Sequence, residues 1–266
     1  MIQIQRHNLT ELSQKHYKSL KNAIIRRLEN KNGNLFEFIK NNLGKILEGN
    51  PYVLSNDIIA KIPYKSSNKK EVEGVFNYKH FTKKHETNYN AYSLADSLQV
   101  NVCPYCNRQY TFTVIANGTN KGQTRPEFDH FFSQAKYPYL ALSFYNLIPS
   151  CKICNSTFKH NKDWNLENYI HPYVEGFDKC KFSIRPKLGK GIDFFYGKTD
   201  AFDIEFKNST SKTENNIRDL ELHNLYNKHK DYVAEILQRS LTYSDAYVNQ
   251  LCDQYGWEHY FQALAI

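Results

Sequence analysis

Apolar residues recur at helical spacing through the first hundred positions. Leu12, Tyr17, Leu20, Ile24 and Leu28 fall on one face of a helix that Thr10 can cap and Asn30-Lys-Asn-Gly33 ends. Asn34 opens a second, with Phe36, Ile39, Leu43 and Ile46 along one face, stopping near Gly49-Asn-Pro51. Ser55 precedes a short helix carrying Ile58, Ile59 and Ile62. Residues 63–73 are polar and basic and predict a loop, and residues 78–98 supply one or two further helices. Phe76, Tyr78, Phe81, Tyr89 and Tyr92 read as core rather than as a stacking surface for bases.

At position 109 the period changes. Residues 109–116 are β-branched and aromatic and predict a strand; Asn117-Gly118 is a turn signal within a polar loop over 117–125 that has no assigned role. Residues 128–132 predict a second strand or its edge, 140–148 fit a strand or a short helix, and 151–162 turn helical at their far end. Residues 181–185, 193–196 and 202–206 read as short strands. The helical pattern returns from 215 through Leu222, Leu225, Tyr226, Val233, Ile236 and Leu237. Ser244 can cap another helix through Tyr247 and Leu251, and Gly256 precedes a last one. The expectation is an α+β fold in three regions: helices over 1–97, a cysteine-containing core over 98–175, and short strands then helices over 176–266.

Composition sharpens this picture in two ways. No apolar run approaches the roughly 20 residues of a membrane span, and the start lacks the apolar stretch of a secretory signal. A cytoplasmic protein is therefore expected, in which disulfides rarely persist and paired cysteines point to metal or redox chemistry. The net charge of +8 is unevenly spread. Residues 1–102 carry 16 Lys/Arg against 9 Asp/Glu, residues 103–163 carry 7 against 3, and residues 164–266 carry 12 against 15. A basic first half suits a polyanionic partner, though a solvated surface explains the charge equally well.

Four of six cysteines form two pairs, Cys103-Pro-Tyr-Cys106 and Cys151-Lys-Ile-Cys154. Two thiolates three positions apart fit one metal from one turn, so the two pairs make a closed Zn²⁺ site. Cys-Pro-Tyr-Cys alone is also a glutaredoxin redox motif, but that motif needs a βαβ frame and gives the second pair no role. Cys180 and Cys252 read as buried small residues. Between the pairs stands Asp129-His130, and Asn155 follows the last cysteine. Phosphodiester hydrolysis needs a base near neutrality and a hard cation at the phosphate. His130 has a suitable intrinsic pKa of about 6.5; Asp129 and Asn155 offer oxygens to Mg²⁺ or Mn²⁺. Successive helical residues lie about 100° apart, so Cys154 can face zinc while Asn155 faces a second metal.

The order Cys-x-x-Cys, Asp129-His130, Asn146-Leu-Ile-Pro-Ser150, Cys-x-x-Cys-Asn155 resembles the HNH endonucleases of the His-Me finger (ββα-metal) class. The resemblance covers residues 103–163; the long insert between Cys106 and Asp129 departs from it. It implies a zinc-stabilised ββα-metal core flanked by mainly helical segments. His130 would be the general base, Asp129 and Asn155 the ligands of the catalytic cation, and Asn146 the residue orienting loop and base. Hydrolysis with one metal would leave 5′-phosphate and 3′-hydroxyl ends. DNA is expected rather than RNA, with Lys159, Lys152 and Arg108 on its backbone. The segments Tyr137-Pro-Tyr-Leu-Ala-Leu-Ser-Phe-Tyr-Asn-Leu-Ile-Pro-Ser150 and His171-Pro-Tyr173 are similar to a bacterial HNH subgroup. Some of its members are encoded beside AAA- or SMC-like ATPases in anti-phage systems such as Septu, which implies an ATPase partner. A zinc-ribbon nucleic-acid-binding module without catalysis is the alternative.

Overall fold

Helix α1 (Leu9–Leu28) follows the first apolar stripe and buries Ile24 and Leu28, with His16 as a polar residue on the same inward face. The second stripe is broken at Asn42. Its backbone leaves helical geometry and its side-chain amide donates to Phe38 O at 2.9 Å, separating α2 (Asn34–Asn41) from α3 (Leu43–Glu48). The Asn50 side chain caps α4 (Pro51–Val53), which runs on as a π-helical turn, Leu54–Ile59. The loop expected over 63–73 instead contains a turn (Ser66–Asn68) and part of α5 (Lys69–Val75). Val72 and Val75 are fully buried there, so tertiary packing overrides a locally polar composition. Two short helices follow, α6 (Tyr78–Phe81) and α7 (Ala91–Leu98), the latter closed by a capping box between Asn90 and Ser93. The structure, a computed structural model, describes residues 1–83, 89–116 and 122–255. The turn expected at Asn117-Gly118 and the helix expected after Gly256 lie outside them.

The strand expected over 109–116 is mostly irregular. Only β1 (Val114–Ile115) forms a ladder, with β2 (Gly122–Thr124), and a lone bridge joins Val102 to Tyr110. Next come β3 (Glu127–His130) and β4 (Leu147–Ser150), antiparallel and in register from Glu127 opposite Ser150 to His130 opposite Leu147. The 16 residues between them include two 3₁₀ turns, Pro138–Leu140 and Phe144–Asn146. After β4 a π-helix spans Ile153–Lys159 and ends at His160, which has positive φ and whose N–H donates to Asn155 O at 2.7 Å.

The chain divides into two compact units, Met1–Lys179 with Ser209–Leu220, and Cys180–Asn208 with the residues from Glu221 on. The boundary expected at 98 therefore does not separate compact units. The irregular N-terminal segment helps join those regions: Ile2 N–H donates to Pro104 O at 2.9 Å and Ile4 N–H to Pro172 O at 2.8 Å. Helix α8 (Ser211–Asp219) belongs to the first unit, where Asp219 Oδ2 accepts from Trp164 Nε1 at 3.1 Å and from Tyr169 Oη at 3.0 Å.

The second unit is built on a six-residue antiparallel hairpin, β5 (Lys181–Pro186) with β6 (Phe202–Lys207). Residues 193–196, expected as strand, form a 3₁₀ turn that buries Phe194 against Phe202 and Ile204. Gly197 ends that turn at φ 65°; a Cβ there would stand 2.3 Å from Ala234 O, so only glycine fits. Among the described residues the helices of this unit are α9 (Leu222–Tyr226), α10 (Lys230–Thr242) and α11 (Asp245–Tyr255). No helix among the described residues is long and apolar enough to cross a membrane.

Candidate metal centre and adjoining cleft

Cys103, Cys106, Cys151 and Cys154 are all buried, with their four sulfurs within 4.8 Å of one another. Cys106 and Cys151 are 3.9 Å apart, far beyond a disulfide bond. Tetrahedral Zn²⁺ at about 2.3 Å from each sulfur places sulfurs about 3.8 Å apart, so the cluster fits a structural metal such as zinc. Backbone amides support it. Cys154 N–H lies 3.5 Å from Cys151 Sγ, and the Arg108 N–H helps lower the Cys106 thiol, whose main influence is hydrogen bonding from the neighbouring thiols. The loop holding the first pair is closed by Cys103 N–H on Gln109 O (2.9 Å) and Asn107 N–H on Cys103 O (2.8 Å), with Asn107 at positive φ.

Tyr105, between the first two cysteines, is fully buried and donates its hydroxyl to Asp129 Oδ2 at 2.5 Å. The same oxygen pairs with Lys159 Nζ at 3.2 Å. Lys159 is fully buried; its ammonium also donates to His130 O at 2.6 Å and lies 5.0 Å from the Trp164 ring centre. Burial pushes its pKa below the usual lysine range, and Asp129 opposes that. Lys159 therefore points into the protein, whereas the sequence reading places it at the surface beside DNA. Lys152 is exposed and Arg108 half-buried.

His130 Nε2 lies 3.0 Å from Ala141 O. A carbonyl only accepts, so Nε2 carries the proton and Nδ1 of the neutral ring is the basic nitrogen. Burial pushes its pKa down to about 4, partly offset by the Ala141 carbonyl and Asp129. The carbonyl that holds His130 is itself braced. His16 Nε2 donates to the next carbonyl, Leu142 O, at 2.8 Å, and the Ser143 hydroxyl donates to Ile46 O. Helices α1 and α3 thus hold the β3–β4 loop. Asn146, fully buried, ties that loop at both ends: its Oδ1 accepts from Phe132 N–H at 2.7 Å, while its amide donates to Leu140 O at 3.1 Å and Phe132 O at 3.2 Å.

Asp129, His130 and Asn155 line one cleft of about 530 Å³, together with Tyr78, Arg125, Glu127, Ser156 and His160. Cys154 reaches the sulfur cluster while its neighbour Asn155 reaches the cleft. Four residues here were not singled out from sequence. Glu127 precedes Asp129 by two positions on β3, which puts them on one face; its Oε2 accepts from Asn155 Nδ2 at 2.9 Å and Ser156 Oγ at 2.6 Å. That period-two spacing was the available signal, and for Tyr105 it was the position between two ligands. Tyr78 stands edge-on to His130, ring centres 4.6 Å apart, and Arg125 stacks over Phe128; neither carried a local signal. His171 is buried against Phe131 and away from the cleft lining. Comparison with protein-family models, curated proteins and solved structures returns no match.

Proposed function

We propose that this protein is a metal-dependent endonuclease of the HNH type, hydrolysing phosphodiester bonds of DNA, with structural zinc on its four cysteines. The observation that carries the reading is the setting of His130. Its Nε2 is fixed on Ala141 O, which leaves the Nδ1 lone pair as the basic site of the ring, in a cleft lined by carboxylate and amide oxygens. The strand–loop–strand–helix order around it also suits the ββα-metal arrangement.

The oxygens suit a hard cation. Asp129 uses Oδ2 on Tyr105 and Lys159, and Asn155 uses its amide nitrogen on Glu127; Asp129 Oδ1 and Asn155 Oδ1 would hold Mg²⁺ or Mn²⁺. A cation held by these two oxygens would supply charge neutralisation at the phosphate and the leaving oxygen. His130 Nδ1 takes a proton from water, which attacks phosphorus in line and leaves 5′-phosphate and 3′-hydroxyl ends. Asn146 holds the loop that supplies the Ala141 carbonyl, so it positions the base without touching substrate. The resemblance to HNH proteins of anti-phage systems extends the proposal to defence, with an ATPase partner. Incubating zinc-loaded protein with supercoiled plasmid tests the activity: nicking with Mg²⁺ or Mn²⁺ and none without added divalent cation supports it. Intact plasmid under all conditions favours a binding module without catalysis.

A further inference from the structure

The segment leaving the first cysteine pair reverses the usual amphipathic pattern. Extended residues alternate between faces. Here Thr111 points inward, 5% exposed, with its hydroxyl donating to Val100 O at 2.7 Å. The apolar residues on the other face look outward: Tyr110 is 74% exposed, Phe112 53% and Val114 48%. A strand selected only for packing places these residues the other way round. The two rings lie nearly parallel, 9° between planes and 5.1 Å between centres, so they stack on one another and present an exposed aromatic pair whose outer faces a further ring can join. Its base is firm. Tyr110 bridges to Val102, Thr111 N–H donates to Asn101 O at 2.9 Å, and Cys103 and Cys106 lie in the same closed loop.

We propose that Tyr110 and Phe112 form a stacking platform for unpaired bases of single-stranded DNA. Every base has a flat π-face, so stacking on aromatic side chains gives sequence-tolerant binding when joined to positive charge. The charge fits: residues 101–126 contain Arg108, Lys121 and Arg125 and no acidic residue. A protein partner for an apolar stripe has no comparable need for parallel rings in a purely basic segment. The same ribbon leads to the cleft, because β1 pairs with β2 and Arg125, directly after β2, lines it. This rests on the nuclease reading and specifies its substrate as DNA with unpaired nucleotides beside the cut.

The test uses zinc-loaded full-length protein without added Mg²⁺ and three 20-nucleotide probes: a DNA single strand with an internal 2-aminopurine, its blunt duplex, and the RNA single strand. The DNA strand should bind with quenching of 2-aminopurine. Tyr110→Ala with Phe112→Ala should weaken that binding by about tenfold or more and remove the quenching, while Tyr110→Phe retains both. Duplex binding should change less than threefold, since paired bases offer no face. Zinc content and circular dichroism of each variant serve as the folding control, with Tyr110→Ala alone as a milder variant. Unchanged single-strand binding in the double variant, an equal loss on duplex, or tighter binding of RNA each overturns the proposal. Wild-type cleavage with an unaffected double variant removes the platform alone. Absent cleavage with platform-dependent binding removes the nuclease reading alone.

Discussion

Replacing Lys159 by methionine separates two roles that a lysine beside the proposed nuclease site can play. Lys159 is fully buried and Asp129 is 2% exposed, with 3.2 Å between Nζ and Oδ2. Removing one member of a buried pair strands the other charge, at about 3–5 kcal/mol. The lost hydrogen bond to His130 O adds about 1 kcal/mol. Against a typical total of about 5–15 kcal/mol, the variant sits near the edge of folding. The pair itself is a weak stabiliser, because burial already opposes the ammonium. Neutralising both partners, Lys159→Met with Asp129→Asn, therefore loses about 2 kcal/mol less than the sum of the single changes. Urea unfolding of the zinc-loaded proteins, without Mg²⁺, measures all four corners of this cycle. A Lys159→Met protein within 1 kcal/mol of wild type, with weakened DNA binding, would return Lys159 to the phosphate and refute the buried-pair account.

Tyr105→Phe removes a hydrogen bond to a charged acceptor, so it should cost about 1.5–3 kcal/mol and slow cleavage while zinc content by elemental analysis stays unchanged. His16 is held neutral, its pKa pushed down to about 4 by burial. The unfolded chain takes up that proton near pH 6.5, so this stability is present above 6.5 and lost as pH falls toward 4, by about 2 kcal/mol at pH 5. His16→Gln should show that much less loss between pH 7 and pH 5 in urea titrations; an identical loss in both proteins refutes the assignment. Stripping the metal with a chelator, or Cys154→Ser, should lower the melting temperature sharply, because metal binding to such a site is folding free energy. Because burial pushes the His130 pKa down to about 4, single-turnover cleavage at pH 5.5 should stay within about twofold of pH 7, where an unshifted histidine loses about tenfold.

The parts of this molecule written as local patterns were legible in the sequence. The stripe from Leu12 to Leu28 gave α1, and the runs at 181–185 and 202–206 gave the two strands, though not the pairing, of the β5–β6 hairpin. Two pairs of cysteines three apart gave a cluster that the fold assembles across 45 positions between Cys106 and Cys151. What was hidden depends on distant partners. Residues 69–75 look like loop until Val72 and Val75 find a core. Lys159 looks like a surface lysine until the π-helix turns it onto Asp129. Ala141 enters only through its carbonyl, which no side-chain pattern can announce. The outward aromatic face at Tyr110 and Phe112 is a related case, since composition reads those residues as strand and does not say which face they occupy.

The central claim is that His130 is the base of a nuclease. The most direct measurement is a time course of plasmid nicking by zinc-loaded wild type and His130→Ala, side by side in Mg²⁺, with zinc content and melting temperature recorded for both. The account predicts that wild type nicks, leaving ends that a ligase reseals without prior phosphatase or kinase treatment. It predicts that His130→Ala keeps its zinc and its fold and loses at least about a hundredfold in rate. A folded, zinc-replete His130→Ala that nicks at the wild-type rate contradicts it.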